Sequence, residues 1–590
     1  MKAAENFTET EVKDLLQECE TLGTIGSPSS TTELMMNIMG SAIDKKLLGE
    51  LAIFKYSQDG KPHYTLGQIT EVTLKNYLLE QSEMQSMARE IGTVNDVSGT
   101  QDVHIGSFSS SAVFCHNSES NVFEQSILGT VPPTGTAICK LSNQVLNKIF
   151  EKYNEQLFYL GHGYGSNTNI PMWFKHFGRG INGLGEAFHM GIFGSTGSGK
   201  STLAHRILMA YSRYSEMGLL VLDPVGEFTT NMKQDASIKS EDSNINYKEI
   251  LNSLGKLPIT THVRDLVLDD WNIFKQILKE SAFFQILTVS GEKKAIAMEL
   301  LVGKLKKKIG INELSSRNSF DLVMKILKDE NNQKQIFYGK EPLNRLKNRL
   351  SAIGDEELHD IWSKISTPFE NRPGAYTITE LLEYFSRPNK PFVIIDLSNN
   401  NLHELKWSDA IQTLILNRIL RGLSEMGEKS YHIRQSLNTL VVLDEAHRFA
   451  SKNNESDYNQ DPHLERLKSK LIDYVNTTRK SGLGWMFIST SLSGIDKGIL
   501  RQLKVLFFGV GLSLGSDYSM LQELIPEKSA LDFYRSFNDP QSAFDLKTRK
   551  FPFMSKGPVS PLSFSGFPLF INALSDDEFM SGNAFHRLPE

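Results

Sequence analysis

Apolar positions along the chain fall into two textures. The first runs from about residue 21. Short apolar stretches alternate with turn residues: Thr21–Ile25, Leu48–Tyr56, Tyr64–Val72, and further stretches near Ala112–Phe114 and Ile127–Val131. Asp59-Gly60 sits between two of them and is a hairpin signal, because both residues tolerate the positive φ that a tight turn requires. Short strands at this spacing predict a small β-barrel over residues 21–165, preceded by a polar tail or short helix over residues 1–20.

The second texture is built from continuous apolar runs. Leu219–Asp223, Phe392–Asp396, Thr439–Asp444, Gly484–Ser489 and Val505–Val510 each lack the alternation of a half-exposed strand. Strands of that kind are buried on both faces, and helical patterns separate them, so the sequence predicts a parallel sheet with helices on both sides. The fold class is therefore α/β, with this region covering residues 180–550. Residues 240–385 are mainly helical in pattern, as in Ala295–Ile309, and read as an insertion between core strands. The last 40 residues, 551–590, are rich in Pro, Gly, Ser and Phe and are expected to form an irregular surface arm.

Composition narrows the picture modestly. A chain of 590 residues holds more than one domain, and 40% hydrophobic residues suffice for a large core. The net charge of −6 does not favour nucleic acid, so any such contact must come from local basic elements. Lys304, Lys306, Lys307 and Lys308 cluster within the insertion and read as a solvated helix face. Cys19, Cys115 and Cys139 are scattered without metal-ligand spacing, the usage of reduced thiols in a cytoplasmic protein. The charged N-terminal stretch carries no apolar signal region, and the longest apolar run, Val505–Gly515, is too short to span a bilayer. A cytoplasmic location with no membrane association is expected.

The chemistry concentrates in Gly194-Ser195-Thr196-Gly197-Ser198-Gly199-Lys200-Ser201-Thr202. This is G-x-x-x-x-G-K-S, the phosphate-binding P-loop. Its glycines let the backbone wrap a triphosphate and turn N–H groups inward. Lys200 offers a point charge to the β- and γ-phosphates, and Ser201 a hydroxyl to Mg²⁺. The helix that follows, Ser201–Tyr214, adds its N-terminal dipole. A Gly-rich turn could arise without a ligand, but a second motif argues against that. Leu440-Val441-Val442-Leu443-Asp444-Glu445 is an apolar strand ending in two acids, the Walker B pattern. Asp444 would hold Mg²⁺, and Glu445 would polarise the attacking water. Asp444–His447 also spells DEAH, but the other motifs of superfamily-two helicases cannot be identified, and His447 reads as a local hydrogen-bonding residue.

Five segments then occur in order: Gly194–Thr202, Asp223-Pro224-Val225-Gly226-Glu227-Phe228, Asp396-Leu397-Ser398, Asp444–His447 and Thr478-Arg479-Lys480-Ser481-Gly482. Together they resemble the HerA family of hexameric DNA translocases, within the wider HerA/FtsK group. His189 before the P-loop strand fits, and the leading barrel, with Gly49-Glu50 and Leu66–Ile69, resembles that family's N-terminal barrel. The resemblance implies a RecA-like ATPase core, ATP and Mg²⁺ as ligands, and a homohexamer with sites at subunit interfaces. It further implies double-stranded DNA in the pore and an effector partner, a nuclease or a sirtuin-type NAD hydrolase, in DNA end processing or antiphage defence. Conjugation-type coupling motors of the same superfamily usually carry membrane segments, and none is visible here. A ring that binds ATP and mainly assembles or gates an effector is the other function considered.

Two positions stay open. Arg479 follows the helix Leu464–Thr478, where it serves either as a cation favoured by the helix dipole or as an arginine finger for a neighbouring subunit. After Ile488-Ser489-Thr490 the family usually carries Gln, Arg, Pro, whereas Ser491, Leu492 and Ser493 stand here. Thr490 or Ser491 would then be the γ-phosphate sensor. Lys452, Arg466, Lys468 and Lys470 flank the segment after Walker B and read as a solvated face with some pore contacts.

Overall fold

A computed structural model describes residues 7–117, 119–180, 183–233, 245–398, 408–450, 462–545, 548–563 and 566–588. A helix over Phe7–Gln17 leads into the first sheet. Its strands are β1 (Thr21–Ile25), β2 (Leu34–Ile38), β3 (Leu51–Gln58), β4 (Lys61–Lys75), β5 (Val103–Asn117), β6 (Val122–Ser126) and β7 (Ala137–Lys140). They run in the order β2-β1-β7-β3-β4-β5-β6, and β2 also pairs with β5, which closes a barrel and leaves β6 outside the ring. Asp59 and Gly60 turn β3 into β4 with φ of 50° and 72°, the left-handed pair a tight hairpin needs. Ile127–Val131 is not a strand, and its Ile127 is 73% exposed. Strands β2, β6 and β7 lie in stretches whose mixed apolar and polar order gave no strand signal.

The second sheet holds β8 (Phe158–Gly163), β9 (Asn169–Met172), β10 (Met190–Phe193), β11 (Gly218–Asp223), β12 (Pro258–His262) and β13 (Phe392–Asp396). It continues with β14 (Thr439–Leu443), β15 (Leu483–Ser489), β16 (Val505–Phe508), β17 (Pro552–Lys556) and β18 (Leu569–Ala573). The order is β12-β13-β11-β14-β15-β10-β16-β17-β18-β8-β9. Strands from β12 to β16 are mutually parallel, and the rest are antiparallel. The α/β fold with a parallel core and a leading barrel agrees with the sequence reading.

Three boundaries differ from it. The stretch Phe158–Met172 falls across the end of the expected barrel but joins the second sheet, because β8 pairs with β18. The expected irregular arm supplies β17, β18 and the helix Asp576–Gly582; its Phe553, Met554, Leu569, Phe570 and Ile571 are buried. Pro and Gly between these short strands masked their period. The expected helical insertion also contains an edge strand, β12, which follows a short helix over Tyr247–Ser253 and pairs with β13. Beyond it, helices from Trp271 to Glu383 surround buried Phe274, Phe283, Phe284, Trp362 and Phe369.

Barrel and core share one apolar cluster in which Leu51, Ile53 and Tyr64 join Phe158, Leu160 and Ile571. Buried Gln68 ties the two sheets with polar bonds. Its amide nitrogen donates to the carbonyls of Phe570 (3.0 Å) and Gly49 (3.2 Å), and its oxygen accepts from the Phe570 N–H at 2.9 Å.

Candidate nucleotide-binding site

The site forms where the parallel strands end at their carboxyl edge, the position at which α/β sheets leave a crevice. β10 leads into the P-loop, and the helix Lys200–Ser212 leads out of it. Gly197 and Gly199 have φ of 80° and 87°, a region side chains enter at a cost. A Cβ on Gly199 would stand 2.8 Å from the Phe551 ring, and one on Gly197 would stand 2.1 Å from Gln541 Nε2. Gln541 in turn donates to the Thr196 carbonyl at 3.1 Å. Lys200 Nζ lies back across the loop and donates to the Ser195 carbonyl at 2.9 Å. The loop's flank is fixed by Ser195, whose N–H donates to the Val510 carbonyl at 2.8 Å. Tyr534 pins that flank, its hydroxyl donating to Gly509 O (2.6 Å) and accepting from Leu512 N (3.1 Å).

Acids gather opposite the loop. Asp444 follows β14 and is buried. Burial pushes its carboxyl up to about 7, aided by the nearby carboxylates of Glu445, Asp223 and Glu227, while the Glu445 N–H opposes the rise. Glu445 takes a left-handed φ of 45°, and its Oε2 lies 3.2 Å from His447 Nδ1. Asp223 ends β11 and accepts from Gly226 N (2.8 Å), Thr229 N (2.9 Å) and Thr229 Oγ1 (2.9 Å). Those bonds fix the turn after β11 and carry Glu227 to Ser201, whose hydroxyl donates to Glu227 Oε2 at 3.0 Å. Burial raises the Glu227 carboxyl and lowers the Lys200 ammonium; Glu445, Asp444 and Glu227 oppose the fall at Lys200.

Desolvated carboxylates close enough to raise one another's pKa, with Glu227 bonded to the Ser201 hydroxyl, are electrostatically unfavourable by themselves and suit a hard cation with oxygen ligands. The donor set fits Mg²⁺, and the glycine cradle with its lysine fits a triphosphate. Glu227 is the group that sequence reasoning left without a role; its signal was the Asp-Pro-Val-Gly-Glu segment after a buried strand.

The structure brings Gly194–Thr202, Asp444 and Glu445 together at this edge. Arg479 stands elsewhere. It lies on a 3₁₀ turn, Thr478–Ser481, before β15 begins, and its carbonyl accepts from Ala187 N at 3.0 Å. β15 is parallel to β10, so Arg479 is at the amino edge of the sheet and the P-loop at the carboxyl edge. The intervening length of β15 is about 20 Å, beyond an arginine's reach. Of the two sensor candidates, Ser491 donates its hydroxyl to Asp517 Oδ1 at 3.0 Å, and Thr490 is half-buried. Lys468 is buried rather than solvated, Arg466 is exposed, Lys470 is half-buried, and Lys452 lies outside the described residues. In the insertion, Lys306, Lys307 and Lys308 are exposed, and Lys304 donates to Asn332 Oδ1.

The family model for the central domain of helicase HerA matches residues 187–484, half of the chain. The chain belongs to the HerA family. No curated protein matches it. Among solved structures, VirB4 of Thermoanaerobacter pseudethanolicus is 14% identical, covering 72% of this chain and 98% of that one at a TM-score of 0.35. The bacterial conjugative coupling protein TrwB is 12% identical, with coverage of 68% and 86% and a TM-score of 0.35. The genome packaging NTPase B204 from Sulfolobus turreted icosahedral virus 2, solved with ATP-γS, is 8% identical, with coverage of 66% and 98% and a TM-score of 0.27. This HerA-family chain is a P-loop ATPase. Among its described residues, no helix is long and apolar enough to cross a membrane.

Proposed function

We propose that this HerA-family ATPase works as a homohexameric ring that uses ATP hydrolysis to move double-stranded DNA. One observation carries the reading: Lys200 and Arg479 occupy opposite edges of one parallel sheet. A site that needs both must be completed by a second copy, and a closed ring repeats that contact at every interface.

The P-loop amides and Lys200 would hold the triphosphate. Ser201 and Asp444 would hold Mg²⁺, which neutralises charge on the phosphate oxygens when bound. Glu445 orients a water in line with the γ-phosphorus and accepts its proton as the new P–O bond forms. The bond to the bridging oxygen breaks, releasing ADP and phosphate. Arg479 of the neighbour stabilises the charge on the transferring group. In this reading Thr490 is the γ-phosphate sensor, a choice supported by the engagement of the Ser491 hydroxyl with Asp517.

A nuclease or NAD-hydrolase effector would dock on the barrel face, in DNA end processing or antiphage defence. The Ser491–Asp517 bond also supports a second reading, in which ATP binding assembles and gates the effector with little translocation, because a residue at the family's sensor position is tied to a different partner.

The test is steady-state ATP turnover with and without linear duplex DNA, combined with displacement of a third strand placed on that duplex. A motor gives duplex-stimulated turnover and ATP-dependent displacement. Ring assembly with turnover indifferent to duplex, and no displacement, favours the platform.

A further inference from the structure

Arg479 is not alone at the amino edge. Three neighbouring strands, β15, β10 and β16, begin there side by side, and each is preceded by a charged residue: Arg479, Glu186 and Lys504. Arg479 Nε lies 3.4 Å from Glu186 Oε2, and Lys504 Nζ lies 3.8 Å from Glu186 Oε1. One carboxylate thus holds two cations, one on each oxygen. The Lys504 ammonium also stands 5.5 Å from the centre of the Phe188 ring. All three charged side chains are partly exposed, at 36%, 34% and 46% for Arg479, Glu186 and Lys504.

This arrangement differs from an ordinary surface ion pair in two respects. The cluster carries an uncompensated positive charge, and its groups lie on the short segments that lead directly into three neighbouring buried strands, Lys504 immediately before β16 and Arg479 and Glu186 four residues before β15 and β10. Behind it stands His189, fully buried, whose Nε2–H donates to the Val475 carbonyl at 2.9 Å. Burial drives that imidazole down to about 4, and the charges of Arg479 and Lys504 reinforce the fall, so it adds no charge near neutrality. A fixed pair of cations with one shared anion is suited to a polyanion that brings more negative charge than Glu186 supplies.

We propose that Lys504 is a second cation delivered together with Arg479 to the triphosphate held by the neighbouring copy, and that Glu186 is the positioning residue that keeps the pair in register. The inference rests on the shared-site reading above. Arginine supplies a planar fork that can bond two oxygens, and lysine supplies a compact point charge, so the two divide the work on adjacent oxygens.

The experiment uses full-length rings mixed from two variants, with ring formation, nucleotide affinity and turnover measured on each mixture. Lys504→Ala and the milder Lys504→Gln should lower turnover about tenfold or more, the effect of losing ~1.4 kcal/mol from the transition state, while nucleotide affinity changes little. Mixing Lys504→Ala with Lys200→Ala should recover activity, as should mixing Arg479→Ala with Lys200→Ala. Mixing Lys504→Ala with Arg479→Ala should recover none, because no subunit then carries an intact pair. Glu186→Gln should behave like Lys504→Ala, including its rescue by Lys200→Ala.

If Arg479→Ala is rescued by Lys200→Ala but Lys504→Ala is not, Lys504 acts within its own subunit and the inference is overturned with the shared site intact. Full turnover by both Lys504 variants overturns it as well. If neither mixture recovers activity although mixed rings form, the shared-site reading fails, and the inference with it.

Discussion

Lys200 and Arg479 stand at opposite edges of one parallel sheet, Lys200 beyond the end of β10 and Arg479 before the start of β15. The separation gives the two residues different signatures. Lys200→Ala should abolish tight ATP binding and turnover, because the phosphates lose their fixed counter-ion. Arg479→Ala should leave ATP affinity nearly unchanged and slow the chemical step by roughly a thousand-fold, the usual worth of an arginine finger. Equilibrium nucleotide binding and single-turnover hydrolysis separate the two. Weak ATP binding by Arg479→Ala would place this residue in nucleotide affinity instead.

Glu445 is held in a left-handed backbone conformation at the end of β14, a position that costs a non-glycine residue about 1 kcal/mol or more. Such strain is kept where it aims a side chain. Glu445→Gln preserves shape and removes the base. Hydrolysis should fall by a factor of about a hundred or more while ATP stays bound. Retained hydrolysis in this variant would move the base to another carboxylate, with Glu227 the nearest alternative on the Ser201 side.

The polar tie between barrel and core sets a stability prediction. Gln68→Ala would leave the buried Phe570 N–H without its acceptor and remove one bond each to the Phe570 and Gly49 carbonyls, which keep the N–H groups of Tyr164 and Gly165. Leaving that buried donor unpaired and losing two further bonds should cost roughly 2 kcal/mol, read as a lower denaturation midpoint with an unchanged slope. A change below about 0.5 kcal/mol would mean that the barrel docks through its apolar contacts alone.

His189 gives the acid limb of the stability profile. Its pKa falls from 6.5 to about 4 in the fold, so the unfolded chain binds the extra proton between those values. Its contribution is complete above pH 6.5 and is lost as pH falls towards 4, by at most about 3 kcal/mol. His189→Gln keeps a donor for the Val475 carbonyl without titrating. Its thermal midpoint should therefore fall less steeply than the native protein's between pH 6.5 and 4. Parallel profiles would assign the acid limb to other groups.

Much of this was legible in the chain. Runs such as Leu219–Asp223 and Thr439–Asp444 are apolar on both faces, so burial in a parallel sheet was the only comfortable solution, and each placed an acid at the strand's end. The P-loop spacing is local and survives without tertiary context. Other features depended on distant partners. β17 and β18 are short and broken by Pro and Gly, and only pairing with β16 and β8 makes them strands. The partnership of Glu227 with Ser201 needs the turn that Asp223 fixes, and the alignment of Glu186, Arg479 and Lys504 needs a strand order far from their sequence order. Periodicity carries none of that information.

The most direct measurement is ATP turnover per chain across a dilution series, with the mass of the assembly recorded at each concentration. A site completed by a second copy requires turnover to rise in step with ring formation, leaving the dilute monomer at roughly a thousandth of the ring's rate. A monomeric chain that hydrolyses ATP at the same rate as the ring would contradict the shared site.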